Sequence, residues 1–409
     1  MLTDNIAKLF GVQGLLFTNL EATETEVTFY MEMERKEQLC PNCGVLTSCV
    51  HDYRTQKVKE VSVLGKNTTL VLRKRRYRCK DCGKRFMEQN EMLTKYSRMT
   101  NRLTKYICDW LENEYSFTSV AKEVDTSVNT VIRIFDKNSV HPPADIQDVV
   151  AIDEFKGNTG KEKYQCIVTD PKQRKVLDIL SNRYGNQVEA YFKQNDDDTL
   201  SHVQYFISDM WKPYVDMADN CFANATKVID KYHWIRQVIW AFEAVRKAEQ
   251  RKQNKKNRVK FKRSRTLLNK RYQYLSVADQ NRVDEMLKLS EPLQKAHKIK
   301  ESFFRVLDSK NSTQACLRLC NWISEAMDSD IEKFKECAAT IYNWKDGILN
   351  SFDCDYTNGF TEGCNNKIKV LKRNAYGYRN FDRFRNRILH MFNGSFHRRK
   401  EAEKMLLSV

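Results

Sequence analysis

The chain has 409 residues, long enough for several domains and at least one sizeable core. Lys and Arg total 70 against 53 Asp and Glu, and the formal charge of +17 points to a polyanionic partner, nucleic acid before an anionic membrane. No apolar run is long enough to span a bilayer, Ile6–Phe17 carries Lys8 and lacks the flanks of a signal peptide, and thirteen mostly scattered cysteines do not fit a secreted disulfide scaffold. An intracellular protein with reduced thiols is therefore expected.

In chain order, residues 1–36 read as a short helix followed by an alternating strand, Thr25–Glu34. Residues 37–92 carry two knuckles, Cys40-Pro-Asn-Cys43-Gly44 and Cys79-Lys-Asp-Cys82-Gly83, separated by β-prone segments that include Thr68–Leu72 and the basic run Arg73–Arg78. Each C-x-x-C-G turn aims two thiolates at one point, and the glycine accepts a positive φ. Four sulfurs complete a closed tetrahedral site, so structural zinc on Cys40, Cys43, Cys79 and Cys82 is expected in a zinc-ribbon layout. A redox pair is the bland alternative, and Cys49 and His51 read as bystanders.

Residues 95–140 have helical periodicity: Leu103, Ile107, Trp110 and Leu111, then Thr118–Val124, then Ser127–Phe135. Ala121 suits a close helix crossing, and Ser127 is an N-cap candidate. Val128, Val131, Ile132 and Phe135 are expected inside. Ser127, Asn129 and Arg133 are the candidates for DNA contact in a helix-turn-helix, although Asp125 stands where such turns often have glycine. A plain three-helix bundle is the alternative.

His141-Pro142-Pro143 reads as a linker. Short β runs then alternate with helices: Val149–Phe155, Tyr164–Thr169, Lys175–Leu180, Val203–Ser208 and Lys227–Ile229, which implies a mixed α/β domain. Two of these runs end in acids, Asp153-Glu154 and Asp209. A carboxylate at the end of a buried strand is costly unless it is paired or binds a metal. A third acid, Glu362, shares a helix face with Asn366, Lys369 and Arg373, a face suited to a metal ligand followed by DNA-backbone contacts. Three carboxylates suit two Mg²⁺ about 4 Å apart, although acids at strand ends also simply cap a solvated edge. Gly157–Glu162 fails as a phosphate loop, because its spacing is short and Glu replaces Ser or Thr. Arg246–Arg271 is crowded with Lys and Arg, suited to phosphate backbone or to a solvated face. Of Trp234, Trp240 and Trp344, most are expected in the core, and nothing in the sequence selects one for stacking on a base.

These residues together resemble the ISL3 family of insertion-sequence transposases. The resemblance runs nearly end to end and is carried most by the block Asn358-Gly359-x-x-Glu362-Gly363-x-x-Asn366-x-x-Lys369-x-x-Lys372-Arg373-x-x-Tyr376-Gly377. It implies a multidomain α+β protein: an N-terminal zinc ribbon, a helix-turn-helix, and a ribonuclease-H-like α/β catalytic core with a helical insertion. The expected divisions are 1–36, 37–92, 95–140, 147–240 for the first part of the core, 241–350 for the basic insertion, and 351–409 completing the core. The resemblance further implies a DDE triad of Asp153, Asp209 and Glu362 holding two Mg²⁺ (or Mn²⁺), with Glu154 as runner-up for the first position. Asp230 and His233, in Asp230-Lys-Tyr-His233, are possible accessory residues, or a helix N-cap and a packed histidine. The implied activity is cleavage and strand transfer at the inverted repeats of a mobile element, by a dimer or larger assembly in a prokaryotic cytoplasm, close to the nucleoid. A non-catalytic DNA-binding regulator is the alternative.

Overall fold

The structure is a computed structural model, and it describes residue 10 and residues 12–394. The short helix expected ahead of Thr25 is not found from Val12 on, where Leu15–Ala22 form a strand; residues 1–9 and 11 lie outside the described residues, as does the end of the C-terminal segment. The chain divides into two compact units, one drawn from Met1–His141, Val370–Tyr378 and Asp382–Val409, the other from Pro142–Lys369 and Arg379–Phe381.

The first unit opens with a five-stranded sheet. Strands β1 (Leu15–Ala22), β2 (Glu26–Met33), β5 (Val50–Val63) and β6 (Lys66–Arg78) run in the order β1-β2-β6-β5, and β7 (Arg85–Met87) pairs with β6. Strand β1 was not legible as a strand, because its Thr18-Asn19-Leu20-Glu21 stretch is exposed and lacks a clear apolar alternation. The apolar face holds Leu15, Val27, Phe29, Met31, Val58, Leu70 and Leu72. Strands β3 (Gln38–Leu39) and β4 (Leu46–Thr47) form the small hairpin of the first cysteine knuckle.

Helices α1 (Asn101–Trp110), α2 (Phe117–Glu123) and α3 (Val128–Asn138) follow. Each begins at a hydroxyl cap: Thr100, Ser116 and Ser127 accept the backbone N–H three residues on, satisfying one of the donors a helix start leaves open. Asp125 adopts φ +45°, the left-handed turn for which glycine is usual. Lys59 Nζ contacts both its backbone oxygen and its carboxylate, the latter at 3.0 Å. Helix α16 (Phe381–Asn393) packs in this unit, although its sequence position suggested the catalytic core. The buried Arg387 guanidinium donates to the carbonyls of Leu111, Asn113 and Tyr115, which close the C-terminal end of α1. Arg383 grips Asp136 of α3 through both carboxylate oxygens.

The second unit is built on a sheet ordered β10-β9-β8-β11-β12. Strand β9 (Gln165–Asp170) is antiparallel to both β8 (Val149–Phe155) and β10 (Lys175–Leu180), whereas β11 (Tyr205–Ser208) runs parallel to both β8 and β12 (Thr226–Ile229). This is the mixed sheet that the resemblance implies. One face, with Val150, Ile152, Cys166 and Phe206, is covered by α4 (Gly185–Phe192), α5 (Asp197–Ser201) and α6 (Lys212–Cys221). The other face, with Val149, Ala151, Ile207 and Val228, meets Cys354 and Tyr356.

After β12 the chain is helical: α7 (Lys231–Lys252), α8 (Lys255–Arg263), α9 (Arg265–Asn269), α10 (Val277–Leu287), α11 (Glu291–Val306), α12 (Ser312–Met327), α13 (Glu332–Asn343) and α14 (Lys345–Asn350). They share a core of their own around Trp234, Phe242, Phe303, Trp322 and Phe334. Gly347 lets α14 press onto β12, since a Cβ there would sit 2.6 Å from Ile229 Cγ1. Helix α15 (Gly359–Asn374) follows. Among the described residues, no helix is long and apolar enough to cross a membrane.

Candidate active site

The sheet register lines up three aspartates. Ala151 of β8, Ile207 of β11 and Val228 of β12 are cross-strand neighbours facing the same cluster. Two residues further along each strand direction stand Asp153, Asp209 and Asp230. A step of two returns to the same face, so the three form a row at the carboxyl ends of three adjacent parallel strands, where open α/β sheets bind ligands. The backbone N–H of Asp230 donates to the carbonyl of Ser208 at 3.0 Å, which fixes the last two against each other.

Helix α15 supplies the fourth acid. Thr361 and Thr169 of β9 hydrogen-bond at 2.8 Å, and Asn365 Nδ2 donates to Asp153 Oδ2 at 2.8 Å. Glu362 lies between these two anchors. Asp153 Oδ1 accepts the N–H of Glu154 at 2.7 Å. Asp209 Oδ1 and Asp230 Oδ2 are buried without a hydrogen-bond partner among the described residues. Glu154 follows the other alternation of β8, after Val150 and Ile152, and is ion-paired to Arg183 at 2.6 Å.

The electrostatics follow from this crowding. Burial pushes Asp209 up to about 7, with the charges of Glu154 and Asp153 adding to the rise and Arg236 and Arg183 opposing it. Burial lifts Asp153 to about 6 against the hydrogen bonds from Glu154 N–H and Asn365, and Glu154 and Glu362 raise it further. Asp230 also rises to about 6, through burial and then the charges of Glu362 and Asp153. Such a cluster is deficient in positive charge, and hard oxygen donors with bare buried lone pairs fit a divalent cation such as Mg²⁺.

Asp230 occupies the N-cap position of α7 but makes no side-chain cap bond. His233 Nε2 lies 4.0 Å from Asp230 Oδ2, and Arg236 donates to His233 Nδ1 at 3.3 Å. Arginine has only donors, so Nδ1 accepts and the proton sits on Nε2, toward Asp230. Burial lowers His233 to about 4, keeping it neutral.

The cysteine knuckles close as the spacing predicts. The sulfurs of Cys40, Cys43, Cys79 and Cys82 all lie within 4.8 Å of one another, a cluster that supports structural Zn²⁺. Gly44 and Gly83 take φ +74° and +70° and donate to the carbonyls of Cys40 and Cys79. Cys49 and His51 stay out of the cluster. No other such group closes to that distance among the described residues, so Asp153, Asp209 and Glu362 stand further apart than the thiols do.

Of the candidate DNA contacts, Ser127 caps α3, and Asn129 and Arg133 are exposed while Val131 and Phe135 are buried. Val128 and Ile132, expected inside, are only half-buried. Asn366, Lys369 and Arg373 are exposed on α15. The basic run is not uniform. Arg246 is buried in a two-oxygen pair with Glu243, and Arg271 pairs with Asp308 at 2.6 Å. The cations of α8, Lys255, Lys256, Arg258, Lys260, Lys262 and Arg263, are all exposed. Sequence reasoning missed Asn365, Arg183 and Arg236. Asn365 was available as the i+3 neighbour of Glu362, but the solvent face through Asn366 was read instead.

Three family models match the chain. A transposase profile of the ISL3 family matches residues 150–388, the zinc-finger profile of the IS204/IS1001/IS1096/IS1165 transposases matches 36–82, and the helix-turn-helix profile of transposase family ISL3 matches 88–137. The transposase for insertion sequence element IS1001 of Bordetella parapertussis is 27% identical over 399 residues, covering 95% of this chain and 97% of that one. An ATP-dependent protease of Lactococcus lactis subsp. lactis is 31% identical over 110 residues, 26% of this chain and 33% of that one. With a zinc-ribbon cysteine cluster, a helix-turn-helix and a mixed α/β unit each matched along its length, this chain belongs to the ISL3 family of transposases.

Proposed function

We propose that the chain binds the inverted ends of an insertion sequence and carries out Mg²⁺-dependent DNA cleavage and strand transfer, with Asp153, Asp209 and Glu362 as the metal-holding triad. The observation that carries this reading is the row of aspartates at the ends of β8, β11 and β12 beneath the Glu362 helix, with one oxygen of Asp209 buried and bare. When bound, the divalent cations supply Lewis-acid stabilisation of the phosphoryl oxygens.

The protein's own groups prepare that chemistry. Asn365 and the Glu154 N–H fix the Asp153 carboxylate in one orientation, so no rotamer search precedes the reaction. Arg183 holds Glu154, withdrawing it from the triad. Asp230 adds negative charge, and His233 presents a neutral N–H to it. In cleavage, water displaces a 3′-oxygen at phosphorus; in strand transfer, that 3′-hydroxyl displaces another at the target. Both are phosphoryl exchanges that need no protein nucleophile.

Asn129 and Arg133 reach base edges, and Ser127 and the cations of α8 and α15 reach phosphates, while the zinc ribbon and the helix-turn-helix together bind the element's ends. Two ends are processed together, so we assign a dimer or larger assembly. The domain divisions given above, with the basic insertion between the second and third carboxylates, belong to the same proposal.

The test is excision in cells. The gene is cloned with its native flanking DNA, and the flanks are amplified from wild type and from Asp209→Asn. Excised junctions in wild type alone support the triad, and junctions in both defeat it. Junctions in neither, with flank binding retained, favour a DNA-binding regulator.

A further inference from the structure

Helix α7 starts one residue after Asp230 and carries an unusual outward stripe. Tyr232, Arg236 and Trp240 repeat every four residues and share one face, spanning about 12 Å. Tyr232 is 55% exposed and Trp240 53%, whereas Trp234 is fully buried against Phe303. The Arg236 guanidinium lies between the two rings, 5.2 Å from the Tyr232 centroid and 4.6 Å from that of Trp240. Its Nε is buried and has no hydrogen-bond partner among the described residues. Asp230 of the carboxylate row is the N-cap residue of this helix, so the stripe begins two residues beyond the row.

Two flat rings around a half-buried cation suit a partner that is both flat and anionic. An apolar protein surface would leave the Arg236 charge without a counter-charge. A nucleotide supplies both requirements, its base for the rings and its phosphate for Arg236. A paired duplex offers its edges and backbone but keeps its base faces stacked, so the nucleotide must be unpaired. The exposed cations of α8, next along the chain, continue a surface suited to a phosphate backbone.

We propose that Tyr232, Arg236 and Trp240 form a stacking platform for an unpaired nucleotide of the DNA strand lying beside the carboxylate row. The inference rests on the reading above only in taking DNA as the substrate. It distinguishes Trp240 from Trp234 and Trp344 as the tryptophan that meets a base.

Binding is measured with the full chain, without divalent metal, on two probes. One is a duplex with a short single-stranded tail carrying a fluorescent adenine analogue at the junction; the other is the blunt duplex. The tailed probe should bind more tightly, with its fluorescence quenched. Trp240→Ala should weaken the tailed probe about ten-fold and remove the quenching while leaving the blunt probe unchanged. Trp240→Phe should keep most of both effects, and Tyr232→Ala should give a smaller loss. Equal loss on both probes overturns the platform, as does unchanged affinity with quenching retained. Unchanged DNA affinity with a smaller sedimenting species also overturns it and assigns the stripe to a second copy of the chain. Failure of the triad reading shows separately, as cleavage surviving Asp209→Asn, which these binding curves do not register.

Discussion

Asn365 Nδ2 donates to Asp153 Oδ2 across 2.8 Å, joining the helix that carries Glu362 to the strand that carries the first aspartate. Residues 212 apart in sequence thereby hold two carboxylates in one geometry, and the bond sits half-buried, where it is worth more than on the surface.

Asn365→Ala should leave the helix content intact, because Thr361 still anchors α15 to Thr169. A hydrogen bond to a charged group is worth about 1.5–3 kcal/mol. Metal-dependent cleavage should therefore fall by about ten-fold or more. The check is single-turnover cleavage across a Mg²⁺ titration, and a wild-type rate at every concentration would remove Asn365 from the positioning role.

Asp209→Asn should stabilise the metal-free protein while abolishing cleavage. The wild-type carboxylate is buried among Asp153 and Glu154 and leaves Oδ1 bare, and that desolvation is not repaid until a cation arrives. Thermal unfolding with and without Mg²⁺ checks this. Wild type should gain stability on adding Mg²⁺, and the variant should start higher and gain little. A variant less stable than the metal-free wild type contradicts the argument.

Zinc removal should unfold the knuckle region and end DNA binding. Cys40 and Cys79 are buried, and their loops hold together through four sulfurs, with the two-residue strands β3 and β4 beside the first knuckle and the short β6–β7 pairing beside the second. Cys79→Ser should lose bound zinc, measured by metal analysis of the purified chain, together with binding to the flanking DNA. Full affinity in a zinc-free chain would show that the ribbon is dispensable.

Arg133 and the α8 cations should fail in different ways. Arg133→Ala is expected to cost about 1–3 kcal/mol at one or two base positions and to relax specificity there. Lys260→Ala with Lys262→Ala should weaken binding to all sequences and flatten its salt dependence by about two counterions. Binding to randomised and native flanks across a salt series separates the two outcomes.

Local chemistry was legible because it repeats within a few residues. The C-x-x-C-G spacing gave the thiolate cluster, Ser127 became the helix cap expected of it, and apolar runs became β8 to β12 within about two residues. The turn at Asp125 took the left-handed conformation expected of glycine, at the modest cost an aspartate tolerates. By contrast, the exposed middle of β1 offers no alternation to read, and Arg246 and Arg271, read with their run as cations for phosphate backbone or solvent, are instead paired with Glu243 and Asp308.

By itself, then, the sequence determined the family, the four-cysteine cluster and the helix-turn-helix, and it named the acids proposed for the metal site, because covalent spacing and helical or strand period fix which residues are neighbours. Only the tertiary structure decided that Asp230 stands level with Asp153 and Asp209, that Asn365 rather than Asn366 touches the first aspartate, that α16 packs with α1 and α3, and that Trp240 is outside while Trp234 is in. These depend on strand register and on the rotation of helices about their axes. Both are set by the packing of segments remote in sequence, where one residue of slip or a quarter-turn exchanges a buried side chain for an exposed one.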